Sequence, residues 1–110
     1  MANVLAFAEA RGGALRKIAL ETVSAARQLA DQTGGGEVHA ILFGAPGIAS
    51  EAARLGAHGA DVVLIVEHAG LANYDPESMA ATIAERTRGG DHRVLLFGAS
   101  AHGRDLAPRV

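Results

Sequence analysis

With 110 residues, 49% of them hydrophobic, and a formal charge of −2, the chain is sized for one domain with a substantial core and is a poor candidate for disorder. It carries no basic excess to draw a nucleic-acid backbone, and Phe7, Phe43, Phe97 and Tyr74 are too few and too scattered for a base-stacking surface. The lack of cysteine excludes disulfides, thiolate nucleophiles and Cys-built metal centres, and no apolar run reaches the roughly 20 residues needed to span a bilayer.

The chain opens on an apolar run at residues 4–8, read as a first strand. No basic region precedes it and Glu9 and Arg11 follow at once, which argues against a cleaved signal and for a cytoplasmic, bacterial-type protein without a targeting segment. The next stretch, Glu9-Ala10-Arg11-Gly12-Gly13, lacks the G-x-G-x-x-G spacing of a dinucleotide loop and reads as a strand-to-helix turn. Over residues 15–33 the apolar positions Leu15, Ile18, Ala19, Thr22, Val23, Ala26, Leu29 and Ala30 recur at three- and four-residue spacing, which predicts a long amphipathic helix ended by Gly34-Gly35-Gly36.

A second apolar run at 38–43 leads through Gly44-Ala45-Pro46-Gly47, a turn by composition, into a short helix from Ile48 to Leu55 with Gly56 as its stop. The third run, 62–66, is followed by the longest loop, in which Glu67 and His68 are an acid–base pair only on paper. Adjacent strand residues point to opposite faces, so they read as solvated. Asp75 caps a third helix beginning at Pro76, with Met79, Ala80, Ile83 and Ala84 inward and Gly89-Gly90 at its close. The fourth run, 94–97, gives way to a last helix after Ser100.

The four runs are continuous rather than alternating, as in strands covered on both faces. The order β-α-β-α-β-α-β-α therefore predicts one three-layer α/β domain over residues 1–110 around a mostly parallel sheet, Rossmann-like in general build. Ligands of such sheets sit at the carboxyl ends of the strands, so the loops there are the places to expect chemistry. The most suggestive is Gly98-Ala99-Ser100-Ala101-His102-Gly103-Arg104-Asp105. Its spacing follows a phosphate loop as far as Gly103, then shows Arg104-Asp105 where Lys-Ser or Lys-Thr is required. Gly98, Ser100, Gly103 and Arg104 stay as weak anion-binding candidates beside the plainer reading of a capped helix start. The five histidines lack metal-ligand spacing, so no metal site is expected, and no serine sits in a nucleophile elbow. A small hydrolase built on Ser100 and His102 is the weakest reading. The chain is not read as an enzyme.

Two stretches carry a family resemblance. Met1-Ala2-Asn3-Val4-Leu5-Ala6-Phe7-Ala8-Glu9 before a long helix, and above all Leu96-Phe97-Gly98-Ala99-Ser100-Ala101-His102-Gly103-Arg104-Asp105-Leu106-Ala107-Pro108-Arg109-Val110, resemble the N-terminal domain of electron transfer flavoprotein α-subunits; residues 71–77 add to the likeness. The resemblance implies the adenine-nucleotide-hydrolase-like variety of the α/β fold and a role as scaffold and subunit interface. It implies an electron carrier that pairs with a β-subunit and holds one FAD. Electrons would come from flavin dehydrogenases of the acyl-CoA type and pass to a quinone-linked or other acceptor, as in fatty acid oxidation. In the family FAD is held chiefly by a C-terminal domain, which would follow Val110. The chain is accordingly expected to be a fragment with no FAD of its own, ending inside a longer helix and prone to self-association. The rival from another class is a stand-alone nucleotide-binding module of the universal-stress-protein type.

Overall fold

The computed structural model describes residues 3–90 and 92–110. In chain order the elements are β1 (Asn3–Ala8), a miniature hairpin of β2 (Ala10–Arg11) and β3 (Ala14–Leu15), α1 (Lys17–Gln32), β4 (Val38–Gly44), a 3₁₀ turn (Ile48–Glu51) running into α2 (Ala52–Ala57), and β5 (Val62–Glu67). A second 3₁₀ turn (Ala69–Ala72), α3 (Pro76–Gly89), β6 (His92–Leu96), α4 (Ala101–Leu106) and a closing 3₁₀ turn (Ala107–Arg109) follow. The four apolar runs are the four strands of one sheet, in the order β5-β4-β1-β6, and every neighbouring pair is parallel.

Strand alternation sorts the side chains into two cores, one on each face. Val4, Ala6 and Ala8 of β1 join Val38, Ala40 and Leu42 of β4 beneath Ala19, Val23, Ala26 and Ala30 of α1 and Leu55 of α2. Leu5 and Phe7 join Ile41 and Phe43 on the other face, covered by Met79, Ala80 and Ile83 of α3 and Leu106 of α4. The central strands β1 and β4 are buried, whereas β5 and β6 at the sheet edges are half-buried over most of their length. The expected three-layer α/β domain is the observed one.

Three local expectations are corrected. The stretch after β1 is a β-hairpin rather than a simple strand-to-helix turn. Gly12 and Gly13, at φ 61° and 80°, supply the two left-handed residues of a type I′ turn, whose twist matches that of the paired strands. Leu15 is thereby spent on β3, and α1 starts at Lys17. Gly56 lies inside α2, and the residue just beyond that helix that takes a left-handed conformation is Gly59, at φ 119°. The final helix gives way to a 3₁₀ turn after Leu106, because Pro108 has no N–H to continue the α-helical ladder.

Candidate functional site

The chain leaves β1 toward the face of α1 and leaves β6 toward the opposite face, where Leu106 of α4 is buried. The carboxyl ends of these neighbouring strands therefore form the topological switch point, the place where open α/β sheets hold their ligands. Glu9 stands there, one residue beyond β1, and is only 2% exposed. Its Oε1 accepts a short hydrogen bond from the Ser100 hydroxyl, which in turn accepts from the Gly103 N–H at 3.0 Å. The N–H of Arg16 donates to the Glu9 carbonyl at 3.0 Å, closing the hairpin, and this brings the guanidinium back beside the same residue's carboxylate. Arg16 Nη1 lies 3.5 Å and His102 Nδ1 3.9 Å from Glu9 Oε2, which accepts no hydrogen bond among the described residues.

Burying a carboxylate costs several kcal/mol unless charges and donors offset it, so this arrangement holds only because β1, the hairpin and α4 all contribute. The loop between β6 and α4 is tight around it. A Cβ on Gly103 would stand 2.0 Å from the Gly98 carbonyl oxygen, and one on Gly98 would stand 2.6 Å from Ile18 Cγ1. These two glycines serve close packing.

A second layer surrounds the carboxylate. The Tyr74 ring stacks on His102 with centroids 3.9 Å apart, and the Tyr74 hydroxyl donates to Asp105 Oδ2 at 2.8 Å. Asp105 Oδ1 also receives Arg109 Nη2 at 3.2 Å. Burial, followed by the hydrogen bond to Asp105, pushes the Tyr74 phenol up to about 12. The hydrogen bonds from Tyr74 and then Arg109 hold the Asp105 carboxyl below the usual carboxylate range. Glu9, Tyr74 and His102 wall a crevice of about 60 Å³ floored by Phe7, Phe43 and Met79.

Of the anion-loop candidates, Ser100 and Gly103 are brought into this cluster and Gly98 packs behind it, while Arg104 is exposed; the arginine beside the cluster is Arg16. Glu67 and His68 do not meet. Glu67 Oε1 accepts from the Ala49 N–H at 3.1 Å, and His68 Nδ1 accepts from Gly70 N–H at 3.0 Å. The Ser100 hydroxyl is bonded to a carboxylate rather than to His102, an arrangement unlike a nucleophile with its base. His39, read as a partly buried strand residue, bonds His92 Nε2 through Nδ1 at 2.8 Å and faces Glu37 Oε1 at 3.2 Å. Among the described residues no cluster of three His, Cys, Asp or Glu suits a metal ion.

A family profile described as "Electron transfer flavoprotein domain" matches residues 4–110. The chain belongs to that family. It is 39% identical over 108 residues to an electron transfer flavoprotein subunit alpha of Thermoanaerobacterium thermosaccharolyticum, covering 98% of this chain and 32% of that protein. It is 36% identical over 110 residues to Protein FixB of Clostridium saccharobutylicum, covering 98% of this chain and 31% of the relative. It is also 35% identical over 107 residues to the acryloyl-CoA reductase electron transfer subunit beta of Anaerotignum propionicum, covering 97% and 29%. The chain thus spans about a third of the length of these relatives.

The name of the family implies a flavin, and the switch-point residues of this electron transfer flavoprotein domain do not fit one. A pocket that encloses a cofactor holds roughly 300–1,000 Å³, and the crevice here holds about 60 Å³. Glu9, on its wall, has a buried carboxylate oxygen that accepts no hydrogen bond among the described residues, and a carboxylate repels a pyrophosphate. An open groove of about 910 Å³ runs along β5 and α3, its charged lining mixed, with Glu67 and Glu85 beside Arg86. No helix among the described residues is long and apolar enough to cross a membrane.

Proposed function

We propose that this domain is the scaffold and subunit-facing part of an electron transfer flavoprotein of the α type, the N-terminal portion of a longer subunit. In this reading FAD is held by a C-terminal domain outside these 110 residues. Electrons arrive from flavin dehydrogenases of the acyl-CoA type and leave toward a quinone-linked or other acceptor, with a β-type subunit as the permanent partner and the domain itself performing no catalysis.

The observation that carries the reading is the family match over residues 4–110, set beside relatives named as electron transfer subunits that align with nearly the whole chain over about a third of their own length. The closed switch point adds to it. A carboxylate bonded to Ser100 and ringed by Arg16 and His102 ties hairpin, sheet and α4 together, which is the work of a scaffold.

The test is co-expression of the chain with the β-type subunit of its own organism, followed by size-exclusion chromatography and a visible spectrum. A heteromeric peak is expected, with no flavin absorbance from the chain purified alone. Stoichiometric flavin on the isolated chain, or no association with the partner subunit, would overturn the assignment.

A further inference from the structure

Two histidines meet at the amino end of the sheet, away from the switch point. His39 is the second residue of β4 and His92 begins β6; β1 runs between these strands, with Leu5 in register with His39 and Asn3 with His92. The rings stand edge to face with centroids 4.7 Å apart, and His92 Nε2 lies 2.8 Å from His39 Nδ1. Both are withdrawn from water, His92 at 8% exposed and the His39 side chain at 15%. On its other side His39 Nε2 faces Glu37 Oε1 at 3.2 Å. An ionised carboxylate only accepts, which assigns a proton to that nitrogen. A neutral His39 then keeps its lone pair on Nδ1 and accepts from His92 Nε2–H. A separation of 2.8 Å has room for one proton between the two nitrogens. The contact survives with both rings neutral, or with one added proton on either ring. With both rings charged, two N–H groups point at one another and the bond is lost.

We propose that the His39–His92 contact is a pH-sensitive clasp on the edge strand β6, closed while the two rings share at most one added proton and released when both are charged. The neighbouring charges do not relieve the conflict. Glu37 bonds His39 alone, and Asp61, ahead of β5, is the other carboxylate that the charge of His39 reaches. From α3, Arg86 and Glu85 line the groove that both rings border, with Glu67 of β5 at the same groove. Asn3 of β1 adds no charge; its side chain accepts from the Glu37 N–H at 3.0 Å and donates to the Gly90 carbonyl at 3.4 Å. The end of α3 presses on the clasp, since a Cβ on Gly90 would collide with the His92 ring. Release therefore loosens the start of β6 and the end of α3 together.

An unfolded chain has no such limit, and both of its imidazoles charge as pH falls below about 6.5. The closed clasp takes up at least one proton fewer, so stability falls with pH. The unfolding equilibrium constant should rise about tenfold or more per pH unit below about 6 on account of this pair. Asp61, held below the usual carboxylate range, contributes only at lower pH. The test follows the imidazole nitrogens of both rings by NMR from pH about 8 to about 5, beside urea unfolding and hydrogen exchange corrected for its intrinsic pH dependence. The folded wild-type chain should take up no more than one proton over the two rings before exchange at the start of β6 accelerates, while the centres of β1 and β4 stay protected. His39→Gln and His92→Gln assign the signals and remove the conflict, because an amide turns to donate or to accept as its partner requires. Each should lose the pair's share of the pH dependence in that window. Should both variants be unfolded, the proton count and the exchange of the wild-type chain decide. The idea is overturned if both rings charge with exchange at β6 unchanged, or if folded variants unfold with the pH dependence of the wild type. These readouts are independent of the electron-carrier assignment.

Discussion

Tyr74 lies flat on His102, with ring centroids 3.9 Å apart and planes 6° from parallel, although 28 positions separate the two residues. The contact joins the loop before α3 to the first turn of α4, and the Tyr74 hydroxyl adds a bond to Asp105 at 2.8 Å. This is the outer wall of the Glu9 cluster, and it makes the only tyrosine of the chain a reporter of whether that wall is intact.

Titration of the phenol reads that wall directly. The native phenol is held up to about 12, against about 10 for an unfolded chain. Below pH about 10 both states keep the proton and the stabilisation is fully present. Between about 10 and 12 the unfolded state binds fewer protons than the native state, so stability falls as pH rises. Tyrosinate absorbance should show a midpoint near 12 in buffer, moving to about 10 in denaturant. A native midpoint near 10 would mean that the phenol is neither buried nor bonded to Asp105.

Two glycine substitutions should act in opposite directions. Gly103→Ala would place a Cβ 2.0 Å from the Gly98 carbonyl oxygen, a backbone clash that the loop relieves only by opening. A loss above about 2 kcal/mol in urea unfolding is expected. Gly56→Ala, inside α2 with nothing within 4 Å of the new methyl, should be neutral or stabilising by up to about 1 kcal/mol.

Acid should weaken the fold through Asp61. Its Oδ2 accepts from the buried Val38 N–H at 2.8 Å and from Arg27 Nη1 at 2.7 Å, and these partners, the backbone bond first, hold its carboxyl below the usual range. A lowered native value means that the contribution is present above about pH 4 and is lost as pH falls below it. Asp61→Asn should flatten that part of the acid limb, measured by denaturant unfolding between neutral pH and pH about 3. Asp61→Ala, which also strips the Val38 N–H of its acceptor, should cost about 1 kcal/mol at neutral pH, the low end for a group this exposed.

Leu106 anchors the segment that carries the family signature. It is fully buried beside Leu5, Phe7 and Ile83, so Leu106→Ala should cost about 2–5 kcal/mol. Hydrogen exchange should show residues 101–109 opening before the central strands. Uniform loosening of the whole sheet would count against an anchor of this local kind.

Much of the architecture was determined by the sequence alone. Four continuous apolar runs, each too short for a helix, read as strands, and the helices between them make those strands parallel. Asp75 and Ser100 were equally legible as caps, since a cap acts on amides three residues away: Asp75 accepts from Ser78 N–H and Ser100 from Gly103 N–H. The hairpin after β1 was not legible, because strands of two residues carry too little alternation to reveal a type I′ turn. The cluster at the switch point was decided by tertiary structure. Nothing in the neighbourhood of Glu9 along the chain foretells Ser100 or His102. Their meeting depends on β6 taking the place beside β1, a long-range pairing that brings together groups which local propensity treats independently.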